Sequence, residues 1–566
     1  MPRSVRSLAA ALFLLSGACT PIGPLPYYRE TNHPLPGDAL PYTVERRRPF
    51  GPTQAREEGL MKNPVGYLLG FARGWLPPDV VESNRRKLLE ATGGYPGGGA
   101  DVVRLTEDPF PDVNVVLALS GGGMRAANLA AAVILELSRV PLEDAKGRPI
   151  TLLDTVDSVS TVSGGSIATA FYLYHRNLFA GNARDQDMRL HRELIEDGLR
   201  RNFERPLILS VLLPHKISTW VRLLTYASRT NLFSSMIEYD VIRPQRLEKL
   251  EKKVLARGWR RNRWIAGPAD VFTTVISFAS PINLPDQYLL PGRGHTLGER
   301  YLQDPKDPRA LFPMRPEWLI NATVYNETPE ANAFLFDEKT FNRYRSDWMN
   351  YRVSNAVAAS AAFPVLFAPV SWRDWSSKAP SWLFLLDGGV SDNLGLNGVK
   401  LATGRSNAPR ASVVILVDAF TREGRVVRRK SDRPSVVEVS ARALDRYMFV
   451  TRAQAIKEWK EKAAREGFTF VHLSIDPKDA TISEMPEDVR RVFTEANRIE
   501  TRLRISREEQ NTLFEAARVL VGRERDTILR AIREGTAGAT ARPVLPRSPP
   551  LLPPRPENWS PVAPGG

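Results

Sequence analysis

The chain has 566 residues, 43% of them hydrophobic, with a formal net charge of +15 and a single cysteine. One cysteine excludes an internal disulfide framework, and the length exceeds one ordinary domain, so a large cored body with extensions is expected. The positive balance favours an anionic partner surface.

Residues 1–18 read as an export signal. Arg3 and Arg6 precede the short apolar run Leu8–Leu15, and Ser16, Gly17 and Ala18 lead into Cys19. The run is too short for a stable membrane span. The position of Cys19 resembles the lipobox of bacterial lipoproteins, with Ser16 where leucine is usual, and a lipid attachment point accounts for a lone exported cysteine better than a bridge does. The expectation is a membrane-anchored exported lipoprotein, and Thr20 in place of an aspartate points by the same resemblance to the outer membrane. Residues 19–60 are proline-rich and read as a semi-extended tether. Residues 61–111 read as an N-terminal helical extension, in which Tyr67, Leu68, Phe71 and Trp75 share a face.

Asn114–Leu119 reads as a buried strand that runs into Ser120, Gly121, Gly122, Gly123, Met124 and Arg125, followed by a small-residue helix over Arg125–Leu137. Three consecutive glycines expose successive backbone N–H groups, which makes either an oxyanion hole or a phosphate nest. The nucleotide signatures G-x-x-x-x-G-K-[ST] and G-x-G-x-x-G do not occur there. In Val159–Ser166, Ser163 sits between an apolar run and a helix expected over Gly164–Tyr174. A nucleophilic serine needs a tight strand-to-helix turn with small neighbours, and Gly164 and Gly165 supply them. The start of that helix also favours developing negative charge. Taken alone, the same residues serve as a helix-capping turn.

The stretch Leu199–Tyr226, interrupted by Pro206 and Pro214, reads as a lid or as helices packed over the sheet. Arg257–Trp264 interleaves arginine with tryptophan, and Arg422–Lys430 is a dense basic run. Asp270–Phe278, Trp318–Thr323 and Ser412–Asp418 read as further strands. The strand Trp382–Leu386 ends in Asp387, Gly388 and Gly389, which presents a carboxylate at the edge where open α/β sheets hold their sites, although Asp-Gly is also a common turn signal. Strands alternating with helices imply a mostly parallel, three-layer α/β protein. Helices over Val436–Arg465 and from a Ser506/Glu509 capping box through Leu520 read as a helical C-terminal extension, residues 421–537. Residues 538–566 are a proline-rich tail of disordered composition. No zinc or calcium spacing occurs, so neither metal nor cofactor is expected.

In their order, Gly121-Gly122-Gly123-x-Arg125, Ser163-Gly164-Gly165, and Asp387-Gly388-Gly389 with the following Ser391-Asp392-Asn393 resemble the patatin-like phospholipases. Ala356–Val370 resembles the family's A-x-x-A-S-x-A-x-P-x-x-F block, and Leu319–Glu327 its preceding A-T strand. The likeness runs from about Val113 to Phe420 and implies a patatin-like catalytic domain over residues 112–420 with an α/β/α fold. It implies a lipid acyl hydrolase of phospholipase A or lysophospholipase type, with Ser163 as nucleophile and Asp387 serving it directly, without a histidine. The N–H groups of Gly121, Gly122, Gly123 and Gly164 would receive the oxyanion. Arg125 would meet a lipid phosphate or pin the loop, the second being preferred. The family's usual G-x-S-x-G has Thr161 at its first glycine here, which implies strain in the turn.

Two rival readings stand beside this one. Ser163, Asp387 and His472 follow the Ser…Asp…His order of α/β-hydrolases, although His472 lies in the strand-like run Phe468–Ile475 and reads better as a core or rim histidine. The other rival is a non-catalytic lipid-binding lipoprotein with the same fold. The expected partners are a lipid ester and a membrane surface rather than nucleic acid, given the export signal and the missing nucleic-acid motifs.

Overall fold

The computed structural model describes residues 32, 34–35, 43–44, 108–179, 185–204, 229–243, 294–303, 310–328, 331–364, 366–377, 379, 381–404, 411–421 and 436–539. The export signal, Cys19, nearly all of the tether and of the N-terminal extension, most of Leu199–Tyr226, all of Arg257–Trp264, Asp270–Phe278 and Arg422–Lys430, and the tail beyond residue 539 lie outside the described residues.

Among the described residues, eight strands form the principal sheet. They are β1 (Val113–Leu119), β2 (Val156–Thr161), β3 (Glu317–Val324), β4 (Ala333–Leu335), β5 (Val370–Asp374), β6 (Ser381–Asp387), β7 (Ala411–Asp418) and β8 (Thr469–Ser474). Their spatial order is β5-β6-β3-β2-β1-β7-β8, with β4 also paired to β3. From β3 through β8 in that order the neighbours are parallel, whereas β6, β5 and β4 are antiparallel to their partners.

The sequence of β1, VNVVLAL, is buried along its whole length, as a strand covered on both faces must be. Alternate side chains go to different cores. Val113, Val115, Leu117 and Leu119 join the larger cluster with α1 (Gly123–Ser138), α2 (Gly164–Tyr174), α3 (Val353–Ser360) and α6 (Arg507–Ala539). Val116 and Ala118 join the smaller one, with residues of α4 (Leu396–Gly404) and α5 (Val436–Glu466). These are the three layers of an α/β/α protein. α1 is buried nearly all round because it lies beneath α6 as well as against the sheet, which is why its sequence is rich in alanine and carries no polar face.

The C-terminal extension is not purely helical. β8 adds an edge strand to the sheet, parallel to β7. Its run is apolar on both faces: Val471, Leu473 and Ile475 enter the larger core, while Phe468 and Phe470 pack on the smaller. The expected capping box is present, with Glu509 N donating to Ser506 Oγ at 3.2 Å and Ser506 N to Glu509 Oε2 at 2.8 Å. The helix it starts continues past Leu520 to Ala539.

Candidate active site

β2 ends at Thr161 and α2 begins at Gly164, so Ser163 stands in the short turn between them. Its φ of 51° and ψ of −115° are uncommon for a residue with a side chain; such backbone costs roughly 1–3 kcal/mol and persists only where the surroundings over-determine it. Here they do. Val162 N donates to Leu119 O at 3.1 Å, Gly165 N to Val162 O at 2.8 Å, and Ser166 N to Ser163 O at 3.0 Å. Ser163 N itself donates to Ser360 Oγ at 3.0 Å. The small neighbours are a steric requirement, because a Cβ on Gly164 would collide with the Gly123 carbonyl oxygen and one on Gly165 would stand 2.5 Å from Leu119 O.

Asp387 ends β6, and β6 is antiparallel to β3. A C-terminal strand end therefore does not by itself place a carboxylate at the edge where Ser163 lies, as the sequence reading assumed. Register does. Asp387 pairs with Ala322, and Thr161 with Ile320, so position 163 also comes level with Ala322. The Ser163 side chain lies close enough to the Asp387 carboxylate to favour its ionised form, and Gly389 N donates to its Oδ1 at 2.7 Å. Burial pushes the Asp387 carboxyl up to about 7, against the lowering effect of those two donors.

The glycine loop folds back at Gly122, with φ 137°, and at Gly123, with φ 59°, where α1 begins. Both conformations belong to the region that disfavours a side chain. The amides of Gly122, Gly123 and Gly164 have no hydrogen-bond acceptor among the described residues, as expected for first-turn N–H groups. Gly121 differs from expectation. Its N–H donates to Asn393 O at 3.0 Å, so it ties the loop to the turn after Asp387 and is not left for an oxyanion.

The Patatin-like phospholipase family model matches residues 117–400, from within β1 to within α4. The chain belongs to the patatin-like phospholipase family. No curated protein matches it. This patatin-like phospholipase has its glycine loop, Ser163 and Asp387 inside the matched segment, while β7, β8, α5 and α6 lie beyond it.

Residues beyond the matched segment nevertheless brace the glycine loop. Met124 N donates to Arg502 O at 2.9 Å, and a Cβ on Gly123 would stand 2.7 Å from that same oxygen. Arg125 is buried; its Nε donates to Ala419 O at 2.8 Å and its guanidinium to Ile499 O at 2.7 Å. The alternative in which Arg125 meets a lipid phosphate is therefore corrected: the side chain is spent pinning the loop. Nothing in the local sequence marks Ile499, Arg502 or Asn393 as partners of this loop, since their contacts are made by backbone carbonyls.

His472 is not brought to Ser163. In register it pairs with Leu416, Leu416 with Ala118, and Ala118 with Ser160, which puts three strand spacings between them, roughly 14 Å. Its Nε2 is 2.9 Å from Asp418 Oδ2, and no histidine among the described residues acts on Asp387. The triad alternative is corrected on this placement.

Proposed function

We propose that this patatin-like protein hydrolyses phospholipid or related lipid esters as a phospholipase A or lysophospholipase, through a Ser163–Asp387 dyad and an acyl-enzyme. The coarser statement, that it is a lipid hydrolase, rests on family membership. The observation that carries the finer reading is a strained serine whose hydroxyl meets a buried carboxylate lifted to about 7. A carboxylate at its ordinary pKa is a weak base, whereas one near the working pH is matched to proton transfer.

In this reading Ser163 Oγ attacks the ester carbonyl carbon as Asp387 takes its proton. The carbonyl oxygen becomes an oxyanion and is met by the N–H groups of Gly122, Gly123 and Gly164; loss of one such donor costs on the order of 10²–10³ in rate. Collapse of the intermediate breaks the ester C–O bond, and the departing alcohol takes the proton from Asp387. A water then attacks the acyl-enzyme while Asp387 accepts its proton, and collapse returns that proton to Ser163. The export signal and Cys19 support an anchored lipoprotein at a membrane surface, where lipid esters are at hand.

The test is labelling by a fluorophosphonate serine probe of protein lacking residues 1–19. Wild type and His472→Ala should label, and Ser163→Ala and Asp387→Asn should not. A wild type inert to the probe even with lipid vesicles present would sink the reading in favour of a lipid-binding protein.

A further inference from the structure

The two halves of the dyad sit on turns far apart in sequence, yet one short segment touches both. That segment is the end of α3. Ser360 Oγ accepts the Ser163 N–H at 3.0 Å, Ser360 O accepts the Gly388 N–H at 3.1 Å, and Ala362 O accepts the Asp387 N–H at 3.0 Å. The last carbonyls of a helix have no partner within it, so the turn carrying Asp387 completes α3 while α3 fixes that turn.

A second feature leads to the same residue. Thr161, which stands where the family has its first glycine, is buried, and its Oγ1 accepts from Trp318 Nε1 and from Ser166 Oγ, each at 2.9 Å. Ser166 Oγ lies 3.0 Å from Ser360 Oγ. Since Ser166 donates to Thr161, the proton between Ser166 and Ser360 comes from Ser360. The hydrogen bonds then run one way, from Ser163 N–H to Ser360, from Ser360 to Ser166, and from Ser166 to Thr161, where the Trp318 indole N–H also ends. Such a buried chain is mutually reinforcing, and leaving a member unpaired is costly. A glycine at 161 would remove the acceptor on which both Trp318 and Ser166 depend. Thr161 itself is the last residue of β2 and is not among the positive-φ positions, so the unusual backbone expected in the turn falls on Ser163.

We infer that Ser360 is a positioning residue that sets the separation of Ser163 and Asp387, and that Ser166 and Thr161 hold Ser360 in the orientation this needs. The inference rests on the dyad reading above. Ser360 makes no hydrogen bond to the Asp387 carboxylate oxygens; it acts through the Ser163 amide and the Gly388 amide.

The experiment is steady-state hydrolysis of a short-chain ester by wild type, Ser360→Ala, Ser360→Thr, Thr161→Val and Thr161→Ser. A misplacement of about 1 Å in a reacting group costs on the order of 100-fold, so Ser360→Ala should lower kcat by roughly 10- to 100-fold with KM unchanged. Ser360→Thr should restore most of that loss, Thr161→Ser should behave as wild type, and Thr161→Val should fall between. A folded Ser360→Ala with the wild-type kcat, or one in which only KM moves, overturns the inference while leaving the dyad reading intact. Failure of Ser360→Thr to rescue also overturns it. If Ser360→Ala does not fold, Ser166→Ala interrupts the chain one bond further from the Ser163 amide; lowered kcat at unchanged KM then supports the inference, and unchanged kcat overturns it. An inert wild type defeats the dyad reading and this inference together.

Discussion

Asp387 and Asp418 are both buried carboxylates at the ends of strands in one sheet, and they are driven in opposite directions. At both, loss of hydration acts to raise the pKa. Among the described residues two donors oppose it at Asp387, and desolvation wins, at about 7. At Asp418 the Arg452 guanidinium and His472 overcome desolvation and hold the carboxyl far below the usual range. Arg452 Nε donates to Asp418 Oδ2 at 2.8 Å while its guanidinium lies over the Phe420 ring at 4.4 Å. Burial by itself therefore does not fix the state of a carboxylate; between these two, the presence or absence of a buried cation decides the direction. The pair at Asp418 ties α5 to β7, whereas Asp387 has no such cation beside it and is the carboxylate to which the proposed mechanism assigns the proton.

The strongest way to break the comparison is to remove each carboxylate in turn. Asp387→Asn should lower kcat/KM by on the order of 10³–10⁴ and yet stabilise the fold above neutral pH. Because the native pKa of about 7 lies above the unfolded value, the native state binds the extra proton between about pH 4 and 7, and stability is lost as pH rises through that window. The ionised buried group costs about 4 kcal/mol once pH exceeds 7. Urea unfolding at pH 8 and at pH 4 checks this: the asparagine variant should exceed wild type at pH 8, and the advantage should vanish at pH 4. Asp418→Ala should do the reverse, destabilising by about 3–5 kcal/mol because it leaves the Arg452 charge buried and unpaired. Equal effects of the two substitutions on stability at pH 8 would collapse the distinction.

A pH profile sharpens it further. Acylation needs ionised Asp387, so the probe-labelling rate should rise with pH to a midpoint of about 7, falling roughly tenfold per pH unit below it. A midpoint near 4 would show that water reaches the carboxylate. The smallest expected effect is that of His472→Ala, which removes one hydrogen bond to Asp418 and should cost about 1–3 kcal/mol of stability while labelling as wild type does.

Much of the frame was legible because it is local. The run Asn114–Leu119, the helix Gly164–Tyr174 and the Ser506/Glu509 cap each carry their signal within a few residues, and each stands where its pattern put it. Phe468–Ile475 was legible as strand-like but not as an edge of the principal sheet, since an apolar run does not say which neighbour it pairs with. The direction of β6 was equally hidden, and with it the reason Asp387 comes level with Ser163.

At the site, the order of the glycine loop, serine turn and aspartate turn is a property of the chain, and it identified the family. What each group does there is decided by contacts that cross long stretches of sequence. Ser163 N meets Ser360 Oγ, Arg125 meets Ile499 O, and Gly121 N meets Asn393 O. Such contacts join residues far apart in the chain, two of them end on backbone carbonyls that every residue type carries, and none leaves a periodic trace. The sequence by itself determined which residues have chemistry to offer and that small neighbours surround them. Only the tertiary structure decided which amides remain free, which arginine is spent as a pin, and that Asp418 is buried beside a cation while Asp387 is buried without one, because desolvation and hydrogen-bond partners exist only once distant segments have packed together.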